Sequence, residues 1–186
     1  MRWRGLAVLY LVLAALAAEY WLVERRRPPA SEAAPPRSRF LALDAAALRE
    51  VRLERAGERV VGRRHADGWE VVEPAAGPIP PGLIAAFASA LAGAEEIAHV
   101  AGPGADPSAF GLGDGAVRVE LVPDSGAAVI VTMGGTNPTG TAVYAQRVGT
   151  PDVVLIGRQI RYYEDLIFQA LAATRAPAAE EGAPVG

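Results

Sequence analysis

Apolar residues fill nearly every position from Gly5 to Val23, and no later stretch of the chain repeats that density. A helix over this run would be roughly 28 Å long, close to the hydrocarbon thickness of a bilayer. The pattern therefore predicts one transmembrane anchor over residues 5–23, behind a basic N-terminus at residues 1–4. Glu19 interrupts the run near its end, where a carboxylate reaches the headgroups; at the bilayer centre it would cost about 3 kcal/mol. Tyr20 and Trp21 follow as interfacial aromatics. Residues 24–39 are rich in Arg and Pro with no large apolar side chain, which predicts an extended stalk. A cleaved signal peptide is the alternative, since Arg2 and Arg4 precede the apolar run and Ala15-Leu16-Ala17 offers small residues for a cut near Ala17, which would release a secreted domain.

From residue 40 to 174 the period shortens and a folded domain begins. Phe40-Leu41-Ala42-Leu43 predicts a first strand, Asp44 a cap for a short turn through Leu48, and Val51 to Arg55 alternates as a half-buried strand does. Ala56-Gly57 marks a turn. Arg59 to Arg64 and Trp69 to Val72 predict two strands joined at Ala66-Asp67-Gly68, whose Asp-Gly pair is a hairpin signal. Leu83, Ile84, Phe87 and Leu91 share one helix face, and Gly93 stops that helix. After a short apolar stretch, Ile97 to Val100, and a Gly/Pro loop, strands follow over Val117 to Leu121, Ala128 to Met133, Ala142 to Val148 and Val153 to Ile156, with a loop at Gly134 to Thr141. A closing helix from about Gln159 to Thr174 places Ile160, Tyr163, Leu166, Ile167, Ala170 and Leu171 on one face. The expected class is α+β: an antiparallel, strand-rich domain with two packing helices and a strands-then-helix unit that recurs in the halves 40–100 and 110–174. Residues 175–186 have nothing to bury and are expected to be disordered.

Composition narrows the chemistry. All 18 basic residues are Arg, so no lysine Schiff base, phosphate-loop lysine or lysine general base exists. Cysteine is absent, which removes disulfides, thiolate nucleophiles and zinc-thiolate sites. Residues 1–27 carry a net +3 and the remainder −6, and an acidic body neutralises few phosphates, which argues against nucleic-acid binding. Two Arg precede the apolar run and five lie within the twenty residues after it, an asymmetry that favours a cytoplasmic domain by the positive-inside rule.

Each candidate site meets a simpler reading. The Gly135 to Thr141 run spaces two glycines like a phosphate loop, but it lacks the lysine and precedes a strand, so no nucleotide and no other cofactor is expected. The residues Gly134, Gly135, Thr136, Asn137, Thr139 and Gly140, with Tyr144 beyond, form the candidate surface for a polar ligand or a partner strand. Gly111-Leu112-Gly113-Asp114-Gly115 resembles a dinucleotide fingerprint but opens a strand, which makes it a turn. His65, Asp67 and His99 can be drawn as an acid–base or metal site of a hydrolase, yet their spacing matches no metalloenzyme, so no metal and no catalytic residue is assigned. Arg63-Arg64-His65 reads as a solvated strand end, Glu164-Asp165 as the solvated face of the last helix, and Trp69, Phe87, Phe110 and Tyr144 as core.

One resemblance adds location. The N-terminal apolar segment, Gly68-Trp69-Glu70-Val71-Val72-Glu73-Pro74, a helix, Phe110-Gly111-Leu112, and Met133-Gly134-Gly135-Thr136-Asn137-Pro138-Thr139-Gly140-Thr141-Ala142-Val143-Tyr144 together resemble the bacterial domain-of-unknown-function family 4340. The likeness covers roughly residues 40 to 170 in short motifs. Family members place a Pro shortly after the Gly-Leu turn, where this chain has Gly113-Asp114-Gly115-Ala116. The resemblance implies a membrane anchor, an envelope-facing domain and protein partners among gliding-type ABC transport subunits; it supplies no catalytic residues. The resulting expectation is a non-enzymatic accessory or scaffold protein on the outer side of the cytoplasmic membrane.

Overall fold

The protein is described by a computed structural model at residues 3, 12–14, 18–19, 38–75 and 77–173. Its chain divides into two units, Met1–Arg37 and Ser38–Gly186. The described positions of the first unit are helical, and no helix among the described residues is long and apolar enough to cross a membrane. Most of the anchor at 5–23, the stalk up to Arg37 and the tail at 175–186 lie outside the described residues.

The second unit is α+β. Strands β1 (Leu48–Arg55), β2 (Glu58–His65) and β3 (Gly68–Glu73) form a meander followed by helix α1 (Pro81–Ala92) and a short strand β4 (Ala98–Ala101). A second meander, β5 (Val117–Pro123), β6 (Val129–Thr136), β7 (Ala142–Arg147) and β8 (Val153–Gly157), is followed by helix α2 (Gln159–Ala173). All eight strands join one antiparallel sheet in the order β3-β2-β1-β5-β6-β7-β8-β4. The first strands of the two meanders pair with each other, so the meanders run outward from a central β1–β5 seam.

Alternation decides which face each side chain takes. Val51 and Leu53 of β1 stand opposite Leu121 and Val119 of β5, and all four are fully buried. They belong to one core with Ile84, Phe87 and Leu91 of α1 and Ile160, Ile167 and Phe168 of α2. Both helices therefore cover the same face of the sheet. Gly62 allows the close approach of α1, since a Cβ there would lie 2.4 Å from the Ile84 Cγ2 methyl. Helix α1 begins with Pro at its first position and ends at Gly93, whose N–H donates to the Ser89 carbonyl.

Three expectations need correction. Phe40 to Leu43 forms no strand: Asp44 accepts a hydrogen bond from Ala46 N at 2.9 Å and starts a 3-10 turn at Ala45–Ala47, so the backbone leaves extended pairing. Phe40 and Leu41 are nonetheless buried, with Phe40 N donating to the Ala94 carbonyl, so their apolar character serves the core. Gly134, Gly135 and Thr136 belong to β6 and not to a loop. On α2 the buried set includes Glu164 and Phe168, while Leu166 is only half-buried.

The turn between β1 and β2 holds Ala56 at φ +50° and Gly57 at φ +81°. Two positive φ values suit an Asn-Gly hairpin turn, and an L-alanine there is strained by about 1 kcal/mol. Ala56→Asn is expected to stabilise the domain by roughly 1 kcal/mol in urea unfolding; an unchanged or lower midpoint would show that the turn is not under strain.

Candidate functional site

The sheet face turned away from the helices carries the charge. Glu50, Arg52 and Glu54 of β1 alternate with the core residues Val51 and Leu53, and they stand opposite Arg63, Val61 and Arg59 of β2. Across the seam Arg52 faces Glu120 and Glu54 faces Arg118. Arg52 donates through Nε to Glu50 at 2.6 Å and through Nη1 to Glu120 at 2.9 Å, and Arg63 Nε donates to the other Glu50 oxygen at 3.1 Å. Burial alone would raise the Glu50 carboxyl, but hydrogen bonds and charge from Arg63 and Arg52 hold it below the usual range. Arg52 is raised in turn by its bonds to Glu120 and Glu50. Near the seam lies a dent of about 110 Å³ lined by Arg52, Leu53, Glu54, Arg59, Arg118 and Glu120. The result is a patterned surface of mutually fixed charges.

The Gly134 to Thr141 segment is built differently from the expected open loop. Asn137 Oδ1 accepts from Thr141 N at 2.9 Å and Ala142 N at 3.0 Å, while its Nδ2 donates to Thr139 Oγ1 at 2.9 Å and Thr141 Oγ1 at 3.3 Å. The polar groups thus close the turn on itself. Gly140, at φ +70°, gives its carbonyl to Arg158 at 3.3 Å. Gly134 and Gly135 lie under the 3-10 turn Pro107–Phe110, where a Cβ on Gly134 would come 2.3 Å from the Phe110 carbonyl oxygen. Thr136 stands opposite Val143 after a bulge in β6. Tyr144 is half-buried with its ring 5.1 Å from that of Phe110. The structure therefore gathers Gly134, Gly135, Tyr144 and Phe110 into one packing contact, beside a separate turn of Asn137, Thr139 and Gly140. Asn137→Ala is expected to cost about 1–2 kcal/mol and to speed amide exchange at Thr141 and Ala142; unchanged exchange would show that the side chain does not hold the turn.

The histidines do not meet. His65 ends β2 and lies 3.2 Å from Glu70, whereas His99 is on β4 and lies 3.1 Å from Asp152. Five strands separate β2 from β4, which at the usual strand spacing is on the order of 30 Å. A joint His65/Asp67/His99 centre is not formed, and no metal-binding cluster occurs among the described residues.

The buried charge lies where the sequence suggested solvent. Glu164 is fully buried, taking a hydrogen bond from Arg55 Nη1 at 2.9 Å and another from Arg161, which also donates to the Gly134 carbonyl. Arg55 reaches Asp165 at 3.2 Å and stands 4.0 Å above the Phe168 ring. Burial raises the Glu164 carboxyl, opposed by the charges of Arg161 and Arg55. This network ties β1, β6 and α2 together. Arg55 continues the core-facing side of β1, a position where an arginine demands an acidic partner; that was the available signal.

Compared with family models, with curated proteins and with solved structures, the chain finds no match.

Proposed function

We propose that the protein is a single-pass protein of the cytoplasmic membrane whose α+β domain stands on the outer, periplasmic side. There it serves, without catalysis, as an accessory or scaffold subunit of a cell-envelope assembly. The observation that carries this reading is the open, charge-patterned face of β2, β1 and β5. Cross-strand ion pairs there hold both signs of charge at fixed positions, at little entropic cost on binding, and such a surface suits the rim chemistry of a protein–protein contact better than a small-molecule cleft. The apolar run at 5–23 supports lipid as the first partner. The resemblance to family 4340 supports a protein partner in an ABC-type transport or gliding system. The two strands-then-helix meanders meeting at the β1–β5 seam support a duplicated ancestral unit.

Affinity capture of the tagged full-length chain from solubilised membranes tests the reading. The double variant Arg59→Gln/Arg118→Gln removes both positive partners of Glu54 without setting like charges opposite one another, and it is expected to fold normally and to lose membrane proteins that the wild type retains. Identical captured sets would reject this face as the contact. In spheroplasts a C-terminal tag is expected to be open to added protease; full protection would reverse the orientation.

A further inference from the structure

Helix α1 and the β2–β3 hairpin leave a wedge between them that the core does not fill. It has a volume of about 330 Å³ and is lined by Trp69 and Arg64 from the hairpin, Ala85, Ala88 and Ser89 from α1, and the turn residues Ala45 and Ala46. Arg64 and Trp69 are cross-strand partners, so they enter the wedge side by side on the helix-facing side of the sheet. The alanines leave room where larger side chains would have closed the layer, and the half-buried indole of Trp69 packs against the core. Arg64 donates Nη1 to the carbonyls of Ala46 at 2.8 Å and Ala45 at 3.2 Å. Those bonds anchor the guanidinium, and its charge has no acidic partner among the described residues. The remaining guanidinium N–H groups are donors suited to a carboxylate.

We propose that this wedge binds a small organic acid with a short apolar or aromatic body. The body lies against Trp69 and the α1 alanines, and the carboxylate meets Arg64. The volume matches the lower end of ligand pockets, which limits the occupant to a molecule of about ten non-hydrogen atoms. This site is separate from the charged face of β1 and β5 and does not depend on its role.

The test uses the full-length chain labelled with 5-fluorotryptophan, the Trp69 resonance being assigned by its loss in Trp69→Phe. Titration with 4-phenylbutyrate is expected to shift the Trp69 signal saturably, with a Kd on the order of 1 mM. The uncharged 4-phenylbutanol should bind about ten-fold more weakly, the worth of a charge-assisted contact. Arg64→Gln should erase that preference, and Ser89→Leu, at an exposed position on the wedge wall, should weaken both compounds while leaving the fold intact. A Trp69 signal unmoved by the acid, equal binding of acid and alcohol, or a preference that survives Arg64→Gln would overturn the proposal.

Discussion

Replacing Glu164 with alanine is expected to destabilise the domain by about 3 kcal/mol. Truncation removes a carboxylate that takes hydrogen bonds from both Arg55 and Arg161 and leaves two guanidinium groups facing a void. The lower end of the range for broken buried pairs applies, because the two arginine side chains retain 30% and 20% of their exposure, and Arg55 keeps Asp165 and the Phe168 ring. Glu164→Gln separates charge from shape. Burial raises the folded-state carboxyl, and the nearby Asp165 charge adds to it, against the pull of Arg161 and Arg55. A raised acid favours the folded state when protonated. Its stabilisation is therefore complete below the unfolded value of about 4 and is lost as the pH rises through the folded value. The wild type should accordingly lose stability relative to Glu164→Gln across that window. A wild type that gains on the variant as pH rises would mean that the arginines outweigh burial.

Gly134→Ala is expected to cost about 2–3 kcal/mol and to displace the Pro107–Phe110 turn. The added Cβ would meet the Phe110 carbonyl oxygen at 2.3 Å and the Gly111 carbonyl carbon at 3.0 Å, and backbone atoms cannot rotate away as a side-chain tip can. Gly111 fixes the other side of the contact: it adopts φ +70°, and its own Cβ would lie 2.7 Å from Gly135 N. Loss of the Phe110–Tyr144 ring contact should accompany the change, visible as altered near-ultraviolet circular dichroism. Gly140→Ala provides the control, since only its positive φ is strained and no atom lies within 4 Å of the new carbon, for a cost of about 1 kcal/mol. Equal losses at the two positions would remove close packing as the reason for Gly134.

Local pattern made most elements legible. Alternation at Val117, Val119 and Leu121, the Ala56-Gly57 turn, and the spacing of Ile84, Phe87 and Leu91 each depend on neighbours in sequence, and the structure keeps all of them; the β2–β3 hairpin is also kept, but its turn is Ala66-Asp67, with Gly68 already paired to His65 in β3. Features made by distant pairing were not legible. Glu164 meets an arginine 109 residues away, and only the β1–β5 seam and the placement of α2 bring them together. An acidic pair on a helix otherwise belongs to water, so the local reading pointed outward. Gly134-Gly135 shows the converse error: paired glycines suggest a loop, but within a strand they mark a place where another backbone passes close by. The charged face was half legible, since the alternating Arg and Glu of β1 and β5 were visible, whereas the register that sets Arg52 against Glu120 was not.

The central claim is that the open face of β2, β1 and β5 is where this domain meets another protein. The most direct measurement is site-specific photo-crosslinking in intact membranes, with the reactive group placed at Glu54 or Arg118 on that face and at Tyr162 or Gln169 on α2. The account predicts one protein adduct shared by Glu54 and Arg118 and absent from the two helix positions. Adducts confined to Tyr162 and Gln169 would contradict it.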